Sequence, residues 1–107
     1  MKDKSLFKMH ADVCKALAHS IRIEIIDILK DKEKSFGELL KITGVPKSNL
    51  SQHLSVMNQK GILIHRKEGL RVYHKLSSPK VYNAFYMMRE VLKERILKQK
   101  ELIKNIK

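Results

Sequence analysis

Hydroxyl and amide side chains crowd the stretch from Gly44 to Gly61, where the chain reads GVPKSNLSQHLSVMNQKG. These groups donate and accept hydrogen bonds without carrying a fixed charge, which is the chemistry that reads the edges of DNA base pairs. The sequence therefore predicts that this stretch binds DNA. The residues of this stretch predicted to contact DNA include Ser48, Asn49, Ser51, Gln52, His53 and Ser55.

Basic residues that could bind phosphates lie in and next to this stretch. Residues 44 to 76 hold six basic side chains and one acidic side chain, whereas the rest of the chain mixes both signs. A surface low in acid is expected where a protein approaches a polyanion. Lys47 at the start of the stretch, and Arg66, Lys67 and Arg71 after it, are predicted to bind DNA phosphates.

The polar stretch is predicted to form one side of a helix. At about 100° per residue, Leu54 and Met57 fall within ~40° of Leu50, and the three form a narrow apolar seam. Pro46 suits the first turn of such a helix, and Gly61 suits the position just after its last turn. His53 lies at the edge of the seam, so both a phosphate contact and simple packing are open for it. The side opposite the seam carries Ser48, Gln52, Ser55 and Gln59.

Two helices are predicted before this one. Residues 6 to 18 carry two apolar stripes at helical spacing, so a helix there needs partners on two sides. Ser20 is predicted to be the N-cap of the next helix, which would turn its isoleucines inward and Arg22 outward.

A short third helix and a hairpin are predicted on either side of the polar helix. Ser35 and Glu38 fit the S-x-x-E capping box, and Gly44 ends the helix that follows them. Residues 62 to 76 change to an alternating pattern, with Glu68-Gly69 as the turn, which is typical of a two-stranded hairpin. This order of elements is that of a winged helix-turn-helix.

The last helix is predicted to be longer than one domain can cover. It starts at Ser77 or Ser78 with Pro79, and its apolar residues recur at helical spacing from Val81 to Ile106. The fold class is therefore predicted as mainly α with a small β-hairpin wing, in a single domain over residues 1–107. The first and last helices are left to form a homodimer interface.

Composition restricts the class of protein. Apolar residues make up 43% and charged residues 32% of the 107 residues, and the net charge is +12. These values fit a globular protein rather than a disordered or membrane chain. No apolar run approaches the roughly 18 residues of a spanning helix, and residues 1 to 9 lack a secretory signal, so a cytoplasmic location is expected.

Metal or redox chemistry has few candidate residues. Cys14 is the single cysteine, so a disulfide within the chain is impossible. His10 and Cys14 are four residues apart on one helix face, and two copies in a dimer could supply four ligands. The alternative is a small buried cysteine and a solvated histidine. His65 and His74, predicted at diagonal positions of the hairpin, are a weaker zinc suggestion.

The sequence resembles the ArsR/SmtB family of winged-helix transcriptional repressors. The resemblance rests on CKALAHSIRIEIIDIL at residues 14–29, SNLSQHLSVMNQKGIL at residues 48–63 and RKEGLRVYHKLS at residues 66–77. It implies a homodimer joined through the first and last helices, with its recognition helices in successive major grooves of an imperfect palindrome. It also implies that an effector releases the operator.

Two metal sites known in that family are absent from this sequence. The stretch that would hold the cysteines of the first site reads KSFGELL at residues 34–40, without a thiol. No histidine follows His74, so the second site, on the last helix, is also missing. No cofactor is therefore assigned, and the effector is left unidentified.

The sequence as a whole predicts a dimeric, sequence-specific DNA-binding transcriptional regulator, most simply a repressor. The alternatives are an effector-independent architectural DNA-binding protein and a winged-helix adaptor that binds another protein. An enzyme is not expected, because no acid and base pair with an orienting third group and no glycine-rich phosphate loop are present.

Overall fold

Within residues 4–105, the part of the chain that the computed structural model describes, five helices and three strands follow the order of a winged helix-turn-helix. The predicted fold class is confirmed; the apolar position predicted at Ile106 lies outside the described residues. The hairpin of β2 and β3 is called the wing below. The elements are α1 Lys4–Leu17, α2 Ser20–Ile28, β1 Lys34–Ser35, α3 Phe36–Thr43, α4 Lys47–Gln59, β2 Leu63–Glu68, β3 Arg71–Leu76 and α5 Pro79–Asn105.

The hydrophobic core lies where α2, α3 and α4 meet the base of the wing. Ile25, Leu39, Leu50 and Met57 come from these three helices, and each is 0% exposed. Leu63, at the start of β2, is buried with them. Burying an aliphatic side chain of this size contributes about 1.5–3 kcal/mol relative to leaving it in water. This packing fixes α4 to the body of the domain.

Local interactions set both ends of α3, as predicted. The backbone N–H of Glu38 donates to Ser35 Oγ at 3.1 Å, and the N–H of Ser35 donates to Glu38 Oε1 at 3.0 Å, which completes the capping box. The hydrogen bonds from Ser35 lower the pKa of Glu38. Gly44 ends the helix with a φ of 69°, in the left-handed region that favours glycine, and so permits the tight turn into α4.

The start of α2 differs from the prediction. His19 is the N-cap, and its Nδ1 accepts a hydrogen bond from the backbone N–H of Ile21 at 3.3 Å. Ser20 is instead the first helical residue. An imidazole nitrogen with a free lone pair can replace the usual hydroxyl oxygen as the acceptor, which the rule of hydroxyl N-caps does not anticipate.

The wing belongs to a three-stranded antiparallel sheet with the order β1-β3-β2. The sequence predicts only two strands, because the two residues of β1 are too few to show an alternating pattern. Gly69 and Leu70 form the turn, between the paired residues Glu68 and Arg71, so the predicted turn at Glu68-Gly69 is wrong by one residue. That shift changes the register, and His65 and His74 lie directly opposite each other rather than diagonally.

Helices α1 and α5 keep large apolar side chains in contact with water. Phe7 on α1 is 63% exposed, and Met88 and Ile103 on α5 are 70% and 71% exposed. Val81 and Phe85, near the start of α5, pack against the core, but no residue of α5 is fully buried. The prediction that one chain cannot cover this helix is confirmed. Among the described residues, no helix has both the length and the apolarity to cross a membrane.

Candidate nucleic-acid interface

Helix α4 has one buried side and one exposed side, as its sequence predicts. Leu50, Leu54 and Met57 are 0%, 3% and 0% exposed and belong to the core. The hydroxyl and amide groups of the opposite side therefore face solvent, while the apolar side holds the helix against the core. The exposed residues of α4 are Lys47, Ser48, Asn49, Ser51, Gln52, Ser55 and Gln59.

The first turn of α4 is open to solvent. Pro46 is the N-cap, one position before the first turn where it was predicted, and its carbonyl accepts a hydrogen bond from the N–H of Leu50 at 3.0 Å. No side chain caps this end of the helix. The remaining N–H groups of the first turn thus keep their hydrogen-bonding capacity beside Ser48 and Lys47, which favours an anion at this position.

His53 differs from the other predicted DNA-binding residues of α4, because it is half-buried and turned toward α2. Nε of Arg22 donates to His53 Nδ1 at 3.2 Å, and the ring of His19 stands edge-on at 4.4 Å between centroids. Burial lowers the pKa of His53, and the charges of His19 and Arg22 lower it further. This geometry agrees with the alternative that His53 packs at the edge of the seam. A phosphate contact by His53 stays a prediction.

Arg22 joins three helices, although its spacing in the sequence predicts that it faces outward. Besides its contact with His53 on α4, its Nη1 donates to the carbonyl oxygen of Ala16 on α1 at 2.9 Å. Its side chain is half-buried, since a long arginine can lay its methylenes along an apolar surface while the guanidinium reaches polar partners. The helical periodicity of α2 contains no signal for this contact.

Arg66 in the wing is held by two carboxylates. Its Nε and Nη2 donate to the two oxygens of Glu33 at 2.9 and 2.7 Å, and its Nη1 donates to Glu68 Oε2 at 2.6 Å. The guanidinium also lies over the ring of Tyr73, 4.5 Å from its centroid. The hydrogen bonds with Glu33 raise the pKa of Arg66 and lower that of Glu33. The donors of Arg66 are thus occupied within the chain, and a phosphate contact by Arg66 stays a prediction.

The other predicted phosphate-binding residues are exposed. Within residues 4–105, none of Lys47, Lys67 and Arg71 forms an ion pair. Lys67 and Arg71 flank the turn of the wing, whose tip is Leu70, an apolar side chain that is 99% exposed and that the sequence did not single out. Cations that form no ion pair in the protein can exchange their counterions for phosphates.

The candidate metal ligands do not converge in one chain. His10 and Cys14 both lie exposed on α1. In the part of the chain that the structure describes, no group of three or more histidine, cysteine, aspartate or glutamate side chains could hold a metal ion. His65 and His74 face each other across the wing with their ring centroids 5.9 Å apart, and Asn58 of α4 contacts both.

A model of the family described as "Bacterial regulatory protein, arsR family" matches residues 19–64. The match runs from the N-cap of α2 into β2 and includes α3 and α4.

Curated proteins similar to this chain include the HTH-type transcriptional regulator Rv0081 of Mycobacterium tuberculosis, 34% identical over 86% of this chain and 82% of the relative. The transcriptional repressor PagR of Bacillus anthracis is 33% identical over 66% of this chain and 72% of its own. The transcriptional activator HlyU of Vibrio cholerae is 40% identical over 63% of this chain and 62% of its own.

Solved structures show the same fold. The crystal structure of Mycobacterium tuberculosis Rv0081 superposes with a TM-score of 0.79 at 34% identity and covers 89% of this chain and 95% of that one. The solution structure of the homodimeric winged helix-turn-helix DNA-binding domain of Mb0332 from Mycobacterium bovis has a TM-score of 0.79 at 28% identity. It covers 87% of this chain and 86% of that one.

Proposed function

This chain belongs to the ArsR family of bacterial regulatory proteins, and we propose that it regulates transcription by binding a specific DNA operator as a homodimer. The observation that carries the proposal is the orientation of α4, whose apolar seam is buried while its hydroxyl and amide side chains face outward. In the proposal α4 is the recognition helix. It lies in the major groove, where Ser48, Asn49, Ser51, Gln52 and Ser55 contact the DNA.

The homodimer forms through α1 and α5 in this proposal. These helices carry the large apolar side chains that one chain leaves exposed, and the similar domain of Mb0332 is homodimeric. A twofold axis between the copies sets two recognition helices about 34 Å apart, one helical turn of the duplex. The operator is accordingly an imperfect palindrome with half-sites at that spacing.

Phosphate binding in this proposal falls to Lys47, Lys67 and Arg71. Lys47 stands at the open first turn of the recognition helix, and the other two stand at the tip of the wing. Arg66 has a structural role in this proposal, because Glu33 and Glu68 already neutralise its guanidinium. It ties the wing to the segment that precedes β1, and so contributes to the wing's position rather than to its free charge.

The direction of regulation is proposed as repression by occlusion of a promoter. PagR is named a repressor and HlyU an activator, so the names of relatives support both directions. Repression is proposed because occupation of promoter DNA is by itself enough to block transcription. An unidentified effector releases the operator. The family's usual metal ligands are missing from the sequence, so that effector is not assigned to either of those sites.

The proposal extends to the whole chain and its place in the cell. Residues 1–107 act as one domain in which the first and last helices serve dimerisation. The protein works in the cytoplasm, where its DNA is, and it acts by binding rather than by catalysis.

Selection of DNA from a random library tests the function directly. The full chain is incubated with random 30-base-pair duplexes, and its affinities for the enriched duplex and for random DNA are compared at several salt concentrations. The proposal predicts a preference of about 10³-fold or more, and a salt dependence that reflects roughly six or more phosphates per dimer. Nearly equal affinities would favour the architectural alternative, and absent salt-dependent binding would favour the protein adaptor.

A further inference from the structure

We propose that Asn58 is a positioning residue whose amide fixes the wing against the recognition helix, so that both elements reach one duplex together. Asn58 lies in the last turn of α4, half-buried, and touches both strands of the wing. The inference rests on the proposed DNA-binding function, and it assigns a role to a residue that makes no DNA contact in that proposal.

The contacts of Asn58 reach from α4 to both strands. Its Nδ2 donates to the carbonyl oxygen of Leu54, one turn earlier in α4, at 2.8 Å. Its Oδ1 lies 3.0 Å from Nδ1 of His65 on β2, and its Nδ2 lies 3.5 Å from Nδ1 of His74 on β3. One amide thus connects three elements.

The carbonyl of Leu54 determines the hydrogen-bonding roles in this group. A carbonyl oxygen only accepts, so the amide nitrogen of Asn58 must face it and the amide oxygen must face His65. His65 then donates through Nδ1–H. His74 faces the amide nitrogen and must present the lone pair of its Nδ1, which places its proton on Nε2 and keeps the ring neutral.

The surroundings of His74 agree with a neutral ring. It is 6% exposed and is the one polar or charged residue that is buried among residues 4–105. His65 lies opposite it on β2, and Lys34 lies opposite it on β1, so both neighbours along the sheet are basic. Burial lowers the pKa of His74, and the charge of His65 lowers it further.

The contacts of Asn58 with His65 and His74 lie between the two surfaces that the proposal brings to DNA. Asn58 follows the outward-facing hydroxyls of α4, and His65 and His74 precede and follow the basic tip formed by Lys67 and Arg71. A two-stranded hairpin has little stability of its own, so its angle depends on contacts at its base. Without the amide, the tip would keep its charges but lose its fixed distance from the recognition helix.

A double-mutant cycle on the salt dependence of DNA binding tests this role. The affinity of the full chain for its enriched duplex is measured against salt with and without Lys67→Ala plus Arg71→Ala, first in the wild type and then with Asn58→Leu. In the wild type the tip substitutions remove about four phosphate contacts per dimer and lower the slope by about 3 to 4. With Asn58→Leu we expect the slope to be lower already, and the tip substitutions to change it by less than about 1.

Two further variants keep the test decisive. Asn83→Leu makes the same chemical change at an exposed position of α5 and is expected to leave the slope and the effect of the tip substitutions as in the wild type. His65→Leu removes the exposed partner of Asn58. It replaces Asn58→Leu in the cycle, with the same expected result, if the far-ultraviolet circular dichroism of Asn58→Leu is not that of a folded chain. Tip substitutions that lower the slope equally in every background would overturn the proposal. Failure of the wild type to enrich any duplex would instead overturn the proposed function.

Discussion

Helices α4 and α5 expose opposite kinds of surface. The 13 residues of α4 bury Leu50, Leu54 and Met57 within the chain, and what remains outside is polar. The 27 residues of α5 bury no side chain fully, and what remains outside includes Leu92 and Ile96, which are 54% and 42% exposed. The apolar side of α4 is covered within one chain, and the apolar side of α5 is not.

The difference indicates what each helix binds. A helix whose apolar side is already covered gains little from another apolar surface, and its exposed donors and acceptors suit a polar partner such as a nucleotide groove. A helix with a long uncovered apolar stripe gains most from a second apolar surface, which a copy of the same chain supplies. The two helices thus separate DNA binding from dimerisation along one short chain.

Leu50→Ala is expected to have the largest effect, because it creates a cavity where α4 meets the core. Leu50 is 0% exposed, and truncation of a buried leucine costs about 2–5 kcal/mol in the free energy of unfolding. Urea denaturation monitored by circular dichroism measures this cost. Gln52→Ala, on the exposed side of the same helix, should change the free energy of unfolding by less than about 0.5 kcal/mol. Equal costs for the two substitutions would contradict the two-sided description of α4.

Ile96→Glu should weaken dimerisation of the chain about 100-fold or more, since it would bury a carboxylate without a partner in the proposed interface. Sedimentation equilibrium measures the dissociation constant of the dimer. The matched control is Asn83→Glu, an exposed position about 140° around α5 from Ile96, where the same side chain should leave the dimer intact. If both variants dimerise like the wild type, α5 does not form the interface.

Acid should reduce the free energy of unfolding through His74, by a smaller amount. The pKa of His74 is lowered in the folded chain from its ordinary 6.5, so the unfolded chain takes up the proton first as the pH falls. The stabilisation is therefore complete above pH 6.5 and is lost below it, by at most about 1.4 kcal/mol per pH unit. Urea denaturation at several pH values measures this slope. His74→Phe should reduce the slope below pH 6.5 to the part contributed by His53, whose pKa is also lowered in the folded chain. An unchanged slope would contradict the buried, neutral state of His74.

The parts of the fold that the sequence predicts are those determined by neighbouring residues. The capping box of Ser35 and Glu38, the turn at Gly44 and the seam of α4 each depend on spacings of a few residues, and all are confirmed. The two-residue strand β1 leaves no periodic pattern, and it is found only through its pairing with β3.

The contacts of the candidate site depend on residues far apart in the chain. Arg66 is paired with Glu33, which is 33 positions earlier, and Arg22 reaches His53, which is 31 positions later. The charge pattern predicts a phosphate contact for Arg66 and does not predict its pairing with Glu33, because Glu33 lies outside the stretch from 44 to 76. Exposure of Ser48, Gln52 and Ser55 was predictable, because it follows from the same periodicity that buries Leu50.

The affinities of Gln52→Ala and Arg71→Ala for the enriched duplex and for random DNA test the outward, base-reading role of α4 most directly. Gln52→Ala should weaken binding to the enriched duplex by about 1–3 kcal/mol and leave binding to random DNA nearly unchanged, because a base contact is lost. Arg71→Ala should weaken binding to both DNAs by similar factors, because a phosphate contact is lost. Equal losses on both DNAs for Gln52→Ala would contradict the assignment of this face to the major groove.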